Sequence, residues 1–180
     1  GKASGARLQF ERGEWDQALS WYRRQNPPRR DLLLYLLDEA TILHTAGRYE
    51  ESIKTFGKAI DLSGELSGPQ VGAKAASIVA NDNLIPYQGE RFEKILMHVF
   101  QALNYLGLGE EREALVEVRR IDTLFHDDID GASKKYLRNP FATYLSGLVW
   151  QANGKQDDAR IDFKRTLKLE PHFPFLPSRA

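Results

Sequence analysis

The chain has 180 residues, with 25 Lys+Arg balanced by 25 Asp+Glu and no cysteine. At 42% hydrophobic and 28% charged it has a folding composition, and at this length the prior is one domain. Zero net charge and a pI near 7.1 exclude the basic excess of an ordinary nucleic-acid binder. The missing cysteine excludes disulfide staples, thiolate zinc sites and cysteine nucleophiles. No apolar run approaches the ~18 residues of a membrane-crossing helix, and no signal peptide is apparent.

Along the chain, the first regular feature is Gly13, with Ala6 seven residues before it, Ala18 five after and Tyr22 nine after. The same frame recurs around Gly47 (Ala40, Ser52, Phe56), Gly109 (Ala102, Ala114, Val118) and Gly154 (Gly147, Ala159, Phe163). Each glycine is expected at a tight turn between two antiparallel helices, where a positive φ is needed. The flanking small residues mark where the two helix backbones approach, and the large residue at +9 fills the gap between hairpins. The frame resembles the tetratricopeptide repeat (TPR). The 34-residue step from Gly13 to Gly47 is that repeat's own period. The later steps are 62 and 45 residues, implying insertions of about 28 and 11. Pro171, seventeen residues past the fourth glycine, is a helix stop.

The expected fold is therefore all-α, a TPR-like array of helical hairpins (an alpha-alpha superhelix) of about four units in a single domain, 1–180. The units fall at about 1–30, 31–63, 90–123 and 138–171, with insertions at about 64–89 and 124–137 and an extended tail at 172–180. Ile53, Phe56 and Ile60 follow helical spacing with Lys54 and Lys58 opposite, and the stripe Phe92, Ile95, Leu96, Val99, Phe100, Leu103 predicts a helix of about 17 residues ending before Gly107. No segment alternates with period two, so no sheet is expected. The usual start of a unit, 14 residues before its glycine, falls before residue 1; the first unit is expected to be short, and the chain a fragment of a longer protein.

The larger insertion carries breakers at Ser63-Gly64 and Ser67-Gly68-Pro69, a small-residue helical stretch from Gln70 to about Ala80, and then Asn81 to Phe92. That last segment admits two readings. Its polar residues cap helices and turns, or Asn81, Asp82, Tyr87 and Arg91 face a ligand. The smaller insertion holds His126, Asp127, Asp128 and Asp130, but no bidentate acid stands at the remove a calcium loop requires, so no metal is expected. In the tail, Pro171, Pro174 and Pro177 forbid helix. Phe173, Phe175 and Leu176 then cover the open end of the array or fold back along it, or the tail leads into a further domain.

Histidines 44, 98, 126 and 172 show no paired ligand spacing, no Gly-x-Ser-x-Gly elbow is present, and the framed glycines serve helix turns. No enzyme activity and no cofactor are expected; an enzyme would need a buried acid, for which Glu90 and Glu117 are the candidates.

Beyond the generic repeat, Asn81-Asp82-Asn83-x-x-Pro86-Tyr87-x-Gly89-Glu90-x-Phe92-Glu93 is followed by Ala102-Leu103-Asn104-Tyr105-Leu106. With Ala114 to Arg120 and Pro140-Phe141-x-x-Tyr144-Leu145-Ser146-Gly147, this resembles a family of uncharacterised bacterial TPR-repeat lipoproteins. The resemblance implies a periplasmic protein, outer-membrane-anchored through a lipidated cysteine that this chain lacks, and it carries no catalytic residues.

The expected function is a non-enzymatic interaction scaffold of the bacterial envelope that binds a protein or peptide partner. In a generic repeat the concave groove is lined from each first helix at offsets −13, −10, −6 and −3 from the glycine. Here these are Leu34, Leu37, Thr41 and His44, then Leu96, Val99, Leu103 and Leu106, then Phe141, Tyr144, Leu148 and Gln151. The lining is apolar and holds no charge clamp, so the groove is either filled by the insertion or binds an apolar segment. The expected partner-binding residues are Asn81, Asp82, Tyr87, Arg91, Leu96, Val99, Leu103 and Tyr144. The alternative is a small-molecule or envelope-polymer binder that uses the 81–91 loop over the concave face.

Overall fold

The computed structural model describes residues 2–67, 87–126 and 139–176, without the side chains of residues 2–4 and 126. Asn81, Asp82, the stretch expected to be helical at 70–80 and the acidic loop at 127–131 lie outside the described residues. The described chain is helical and contains no strand. It divides into two units, Gly1–Glu90 and Arg91–Ala180. The first holds α1 (Lys2–Glu11), α2 (Trp15–Arg23), a short 3-10 turn at Arg29–Asp31, α3 (Leu32–Thr45) and α4 (Tyr49–Leu66). The second holds α5 (Arg91–Gly107), α6 (Glu111–His126), α7 (Pro140–Ala152) and α8 (Gln156–Leu169).

Among the described residues each unit holds two helical hairpins, and all four close in the same way. Gly13, Gly47, Gly109 and Gly154 have φ of +74°, +72°, +74° and +73°, a region that side chains rarely adopt. In each, the glycine N–H donates to the carbonyl three residues back, and the next residue's N–H reaches four residues back from the glycine. Arg48 N–H donates to Leu43 O at 2.9 Å, Glu110 to Tyr105 O at 2.8 Å, and Lys155 to Trp150 O at 2.9 Å. This satisfies the orphan carbonyls of the first helix. The second helix starts at once: Ala18, Ser52, Ala114 and Ala159 donate to the residue after their glycine.

The small residues of the frame lie where expected. Ala6, Ala40, Ala102, Ala18, Ser52, Ala114 and Ala159 are buried to 2% exposure or less. Ser52 Oγ donates to Ala40 O at 2.8 Å, which joins the −7 and +5 positions of one hairpin directly. Gly147 is more constrained still, because a Cβ there would lie 2.6 Å from Phe163 Cδ1. In the second unit Ile95, Val99, Ala102, Ala114, Val118, Ile121, Ala142, Leu145 and Val149 form one core that joins α5, α6 and α7. The first unit buries Ala18, Leu19, Ile42 and Leu43, with Phe10, Trp15 and Tyr22 packed against them. The exposed ion pairs on that unit, Arg23 with Glu39 and Glu51 and Arg48 with Glu51, add about 0–1 kcal/mol each.

Helix starts follow local chemistry. Asn139 caps α7 by accepting from the N–H groups of Phe141 and Ala142, with Pro140 in the first turn. The helix expected to end before Gly107 spans Arg91–Gly107 and has 17 residues.

Two glycine substitutions separate tight approach from mere flexibility. Gly147→Ala should lower the unfolding free energy by about 1–3 kcal/mol through overpacking on Phe163. Gly57→Ala, within α4 with nothing inside 4 Å of the added carbon, should raise it by about 0.5–1 kcal/mol. Urea denaturation of both variants checks the pair; equal effects would remove the close-approach account of the −7 position.

Candidate functional site

Of the loop residues expected to face a ligand, Tyr87 and Arg91 are described, and both make contacts that serve the fold. The Tyr87 backbone N–H donates to Arg30 O at 3.0 Å, and Ser63 Oγ donates to Gln88 O at 2.9 Å, which ties 87–88 onto the first unit. Arg91 lies in the second unit, where Nη2 donates to Leu124 O at 2.8 Å. A guanidinium there meets the carbonyl-rich, partly negative end of α6.

The groove offsets behave differently on different helices. On α5, Val99 is 3% exposed and belongs to the core, Leu103 and Leu106 pack against that core, and Leu96 is half-buried. On α7, Phe141 and Leu148 are 39% and 38% exposed, while Tyr144 lies between them, half-buried under Phe173 and Phe175. On α3, Leu34 is exposed, Thr41 Oγ1 is bonded to Leu37 O, and the His44 ring lies against Tyr49. Accessible apolar surface at the groove offsets is thus concentrated on α3 in one unit and α7 in the other.

A polar cluster that the frame did not flag lies between α5 and α6. Glu117 Oε2 meets His98 Nδ1 at 2.6 Å, and Arg120 Nη1 donates to Glu117 Oε1 at 3.1 Å. His98 and Glu117 are buried, as are Gln101 and Asn104 on α5. Counted from the turn glycine, Glu117 stands at +8 and Arg120 at +11. Asp162 and Arg165 hold the same two places in the next hairpin, where Asp162 is buried and bonded to Arg165 at 2.9 Å. Arg165 also reaches Asp122 at 3.3 Å. The recurring acid three residues before an arginine was visible in the sequence; what was missing was knowledge that +8 points inward. Burial, reinforced by the charge of Asp122 and opposed by Arg165, holds the Asp162 carboxyl above the usual 3.8.

Chemically, Glu117 has both oxygens engaged and is almost wholly enclosed, so it joins α5 to α6 and presents no free base to a substrate. Glu90, the other acid an enzyme would use, is exposed. Among the described residues no three His, Asp or Glu side chains converge on a metal position. A cleft beside the Gly109 turn is lined by Tyr105, Glu110, Glu111, Arg112 and Glu113. Burial, then the charges of Glu117, Glu113 and Glu110, pushes the Tyr105 hydroxyl up and keeps it protonated. No described helix is long and apolar enough to cross a membrane.

Two measurements probe the buried charges. His98→Leu or Glu117→Leu alone should cost about 3 kcal/mol in urea unfolding, because each leaves a buried polar partner uncompensated, and the double variant should recover much of that loss. Strict additivity would show that the pair is not a unit. For Asp162, the folded state holds the proton to higher pH than the unfolded chain does. This group's contribution to stability therefore falls as pH rises from about 3.8 through its raised value, and is flat above it. Asp162→Asn should accordingly gain on the parent as pH rises above about 3.8. A pH-independent difference would contradict this.

No family model and no curated protein matches the chain. Among solved structures, the crystal structure of BtubC (BKLC) from P. vanneervenii is similar over 97% of this chain and 82% of its own, at 17% identity and a TM-score of 0.34. A likeness that distant carries no functional argument.

Proposed function

We propose that this chain is a non-enzymatic, TPR-like interaction scaffold that binds a protein or peptide partner through the apolar faces of its first helices. The observation that carries the proposal is the exposure of Leu34, Phe141 and Leu148 at two groove offsets of α3 and α7, since apolar surface aligned on one helix face is what a partner segment covers. The repeat assignment is supported by four turn glycines at positive φ with one hydrogen-bond pattern, and by buried small residues on both sides of each. The envelope location and lipid anchor rest on the sequence resemblance alone. The small-molecule or polymer alternative is less favoured, because Tyr87 and Arg91 make backbone contacts within their own units.

The test is capture of partners from native envelope with the full-length, anchored protein. Phe141→Asp with Leu148→Asp should cut recovery of a specific partner at least about tenfold. Ile161→Asp, at a more exposed apolar site on the second helix α8, should leave recovery unchanged. The reverse pattern would place the binding surface on the other face and remove the groove proposal.

A further inference from the structure

Inside each unit, the +9 residue of the first hairpin is covered by the first helix of the second. Tyr22 of α2 meets Tyr35 of α3 at 5.6 Å between ring centroids, and Val118 of α6 packs in one core with Ala142, Leu145 and Val149 of α7. In the last hairpin the +9 residue is Phe163, which lies 6.0 Å from Tyr144. What lies on Tyr144 there is not a helix but the chain's own tail: Phe173 at 5.0 Å and Phe175 at 5.8 Å, with their two rings edge to face.

The tail reaches this place through two consecutive β-turns. Phe173 N–H donates to Glu170 O at 3.1 Å, and Leu176 N–H to Phe173 O at 3.2 Å. Each turn has proline at its second position, Pro171 and Pro174, where the ring already fixes the φ the turn needs. The segment is thus pre-organised, and it delivers aromatic side chains two residues apart onto one tyrosine. Its grip is uneven: Phe173 is buried, but Phe175 remains 66% exposed although its ring stacks on Tyr144 at 26°. Tyr144 stands at groove offset −10, between the exposed Phe141 and Leu148.

We propose that the Tyr144 face of α7 is a docking site for a turn-forming Phe-Pro-Phe segment of a partner, and that residues 173–176 of this chain occupy it in cis. The proposal rests on the scaffold reading above and adds the partner's chemistry and the means of its exclusion. A partner carrying two aromatics around a proline would present the same rings in the same pre-formed turn, and it enters by displacing the exposed Phe175 first. Binding is then set by competition between the cis and trans segments.

The probe is a labelled peptide with the sequence of residues 170–180, titrated by fluorescence anisotropy into the full chain. Phe175→Ser, at an exposed position that leaves the buried Phe173 in place, should bind the peptide several-fold more tightly than the parent, and Phe173→Ser with Phe175→Ser at least tenfold more tightly. Adding Tyr144→Ala, with helicity checked by circular dichroism, should abolish the gain, and a peptide with both phenylalanines changed to serine should not bind. In the unchanged protein, saturating peptide should speed hydrogen exchange at the Phe173 and Leu176 amides, which needs no variant to fold. Equal affinities for parent and tail variants, binding indifferent to Tyr144, or no binding to any variant would overturn the proposal. If envelope partners are still lost with Phe141→Asp and Leu148→Asp, the scaffold reading survives that failure.

Discussion

The structure of each unit depends on the approach of two helix backbones across a turn closed by glycine at positive φ. Bringing helices that close requires small side chains on both sides, and the chain supplies them at −7 and +5 from every turn. At Gly147 the space is used by the Phe163 ring, so the aromatic at +9 packs against the backbone of its own hairpin. The turn also settles the carbonyls of the first helix, which a looser connection would leave to solvent. Cap and close approach therefore form one device repeated four times, with an aromatic at +9 in three of the hairpins and Val118 in the other.

That device explains why charges are buried in the second unit without disorder. In α6 and α8 position +8 is buried, so an acid there must find partners within the protein. Glu117 finds His98 and Arg120; Asp162 finds Arg165. In the first unit the equivalent of Glu117 is Thr55, which bonds Glu51 O in its own helix and needs no counter-ion. The polar pairs thus distinguish otherwise similar hairpins. A buried pair adds little net stability compared with apolar packing, but it penalises any register in which its partners are separated.

Much of this was legible in the amino-acid order, because the repeat rests on residue types with few substitutes. Only glycine closes the turn without strain, and only small residues allow the approach, so Gly47 with Ala40 and Ser52 already carried the hairpin. The exposure of the first-helix apolar positions was less legible. Their spacing from the turn glycine treats Val99 and Leu148 alike, yet Val99 is core and Leu148 is exposed, since α5 is covered by both α6 and α7. Arg91 was equally ambiguous: arginine at the start of a helix serves a ligand or a neighbouring helix end, and its bond to Leu124 O required the end of α6 in space. Pairings across 19 residues, such as His98 with Glu117, leave no short-range pattern.

The described end of the second unit follows from the same geometry. Within each unit the +9 side chain of the first hairpin is covered by the next first helix, whereas on the last described hairpin it is the segment after α8 that lies on Tyr144. Pro171 prevents α8 from continuing, and its φ then starts the first of the two turns that return Phe173 to Tyr144. A two-turn segment covers less than a helix does, and the 66% exposure of Phe175 is the residue of that mismatch. A face so covered is protected from non-specific contact yet held by few side chains. This is the balance that a cis-occupied peptide site requires: enough aromatic contact to exclude weak ligands, and too little to exclude a segment with the same rings and a better-covered second phenylalanine.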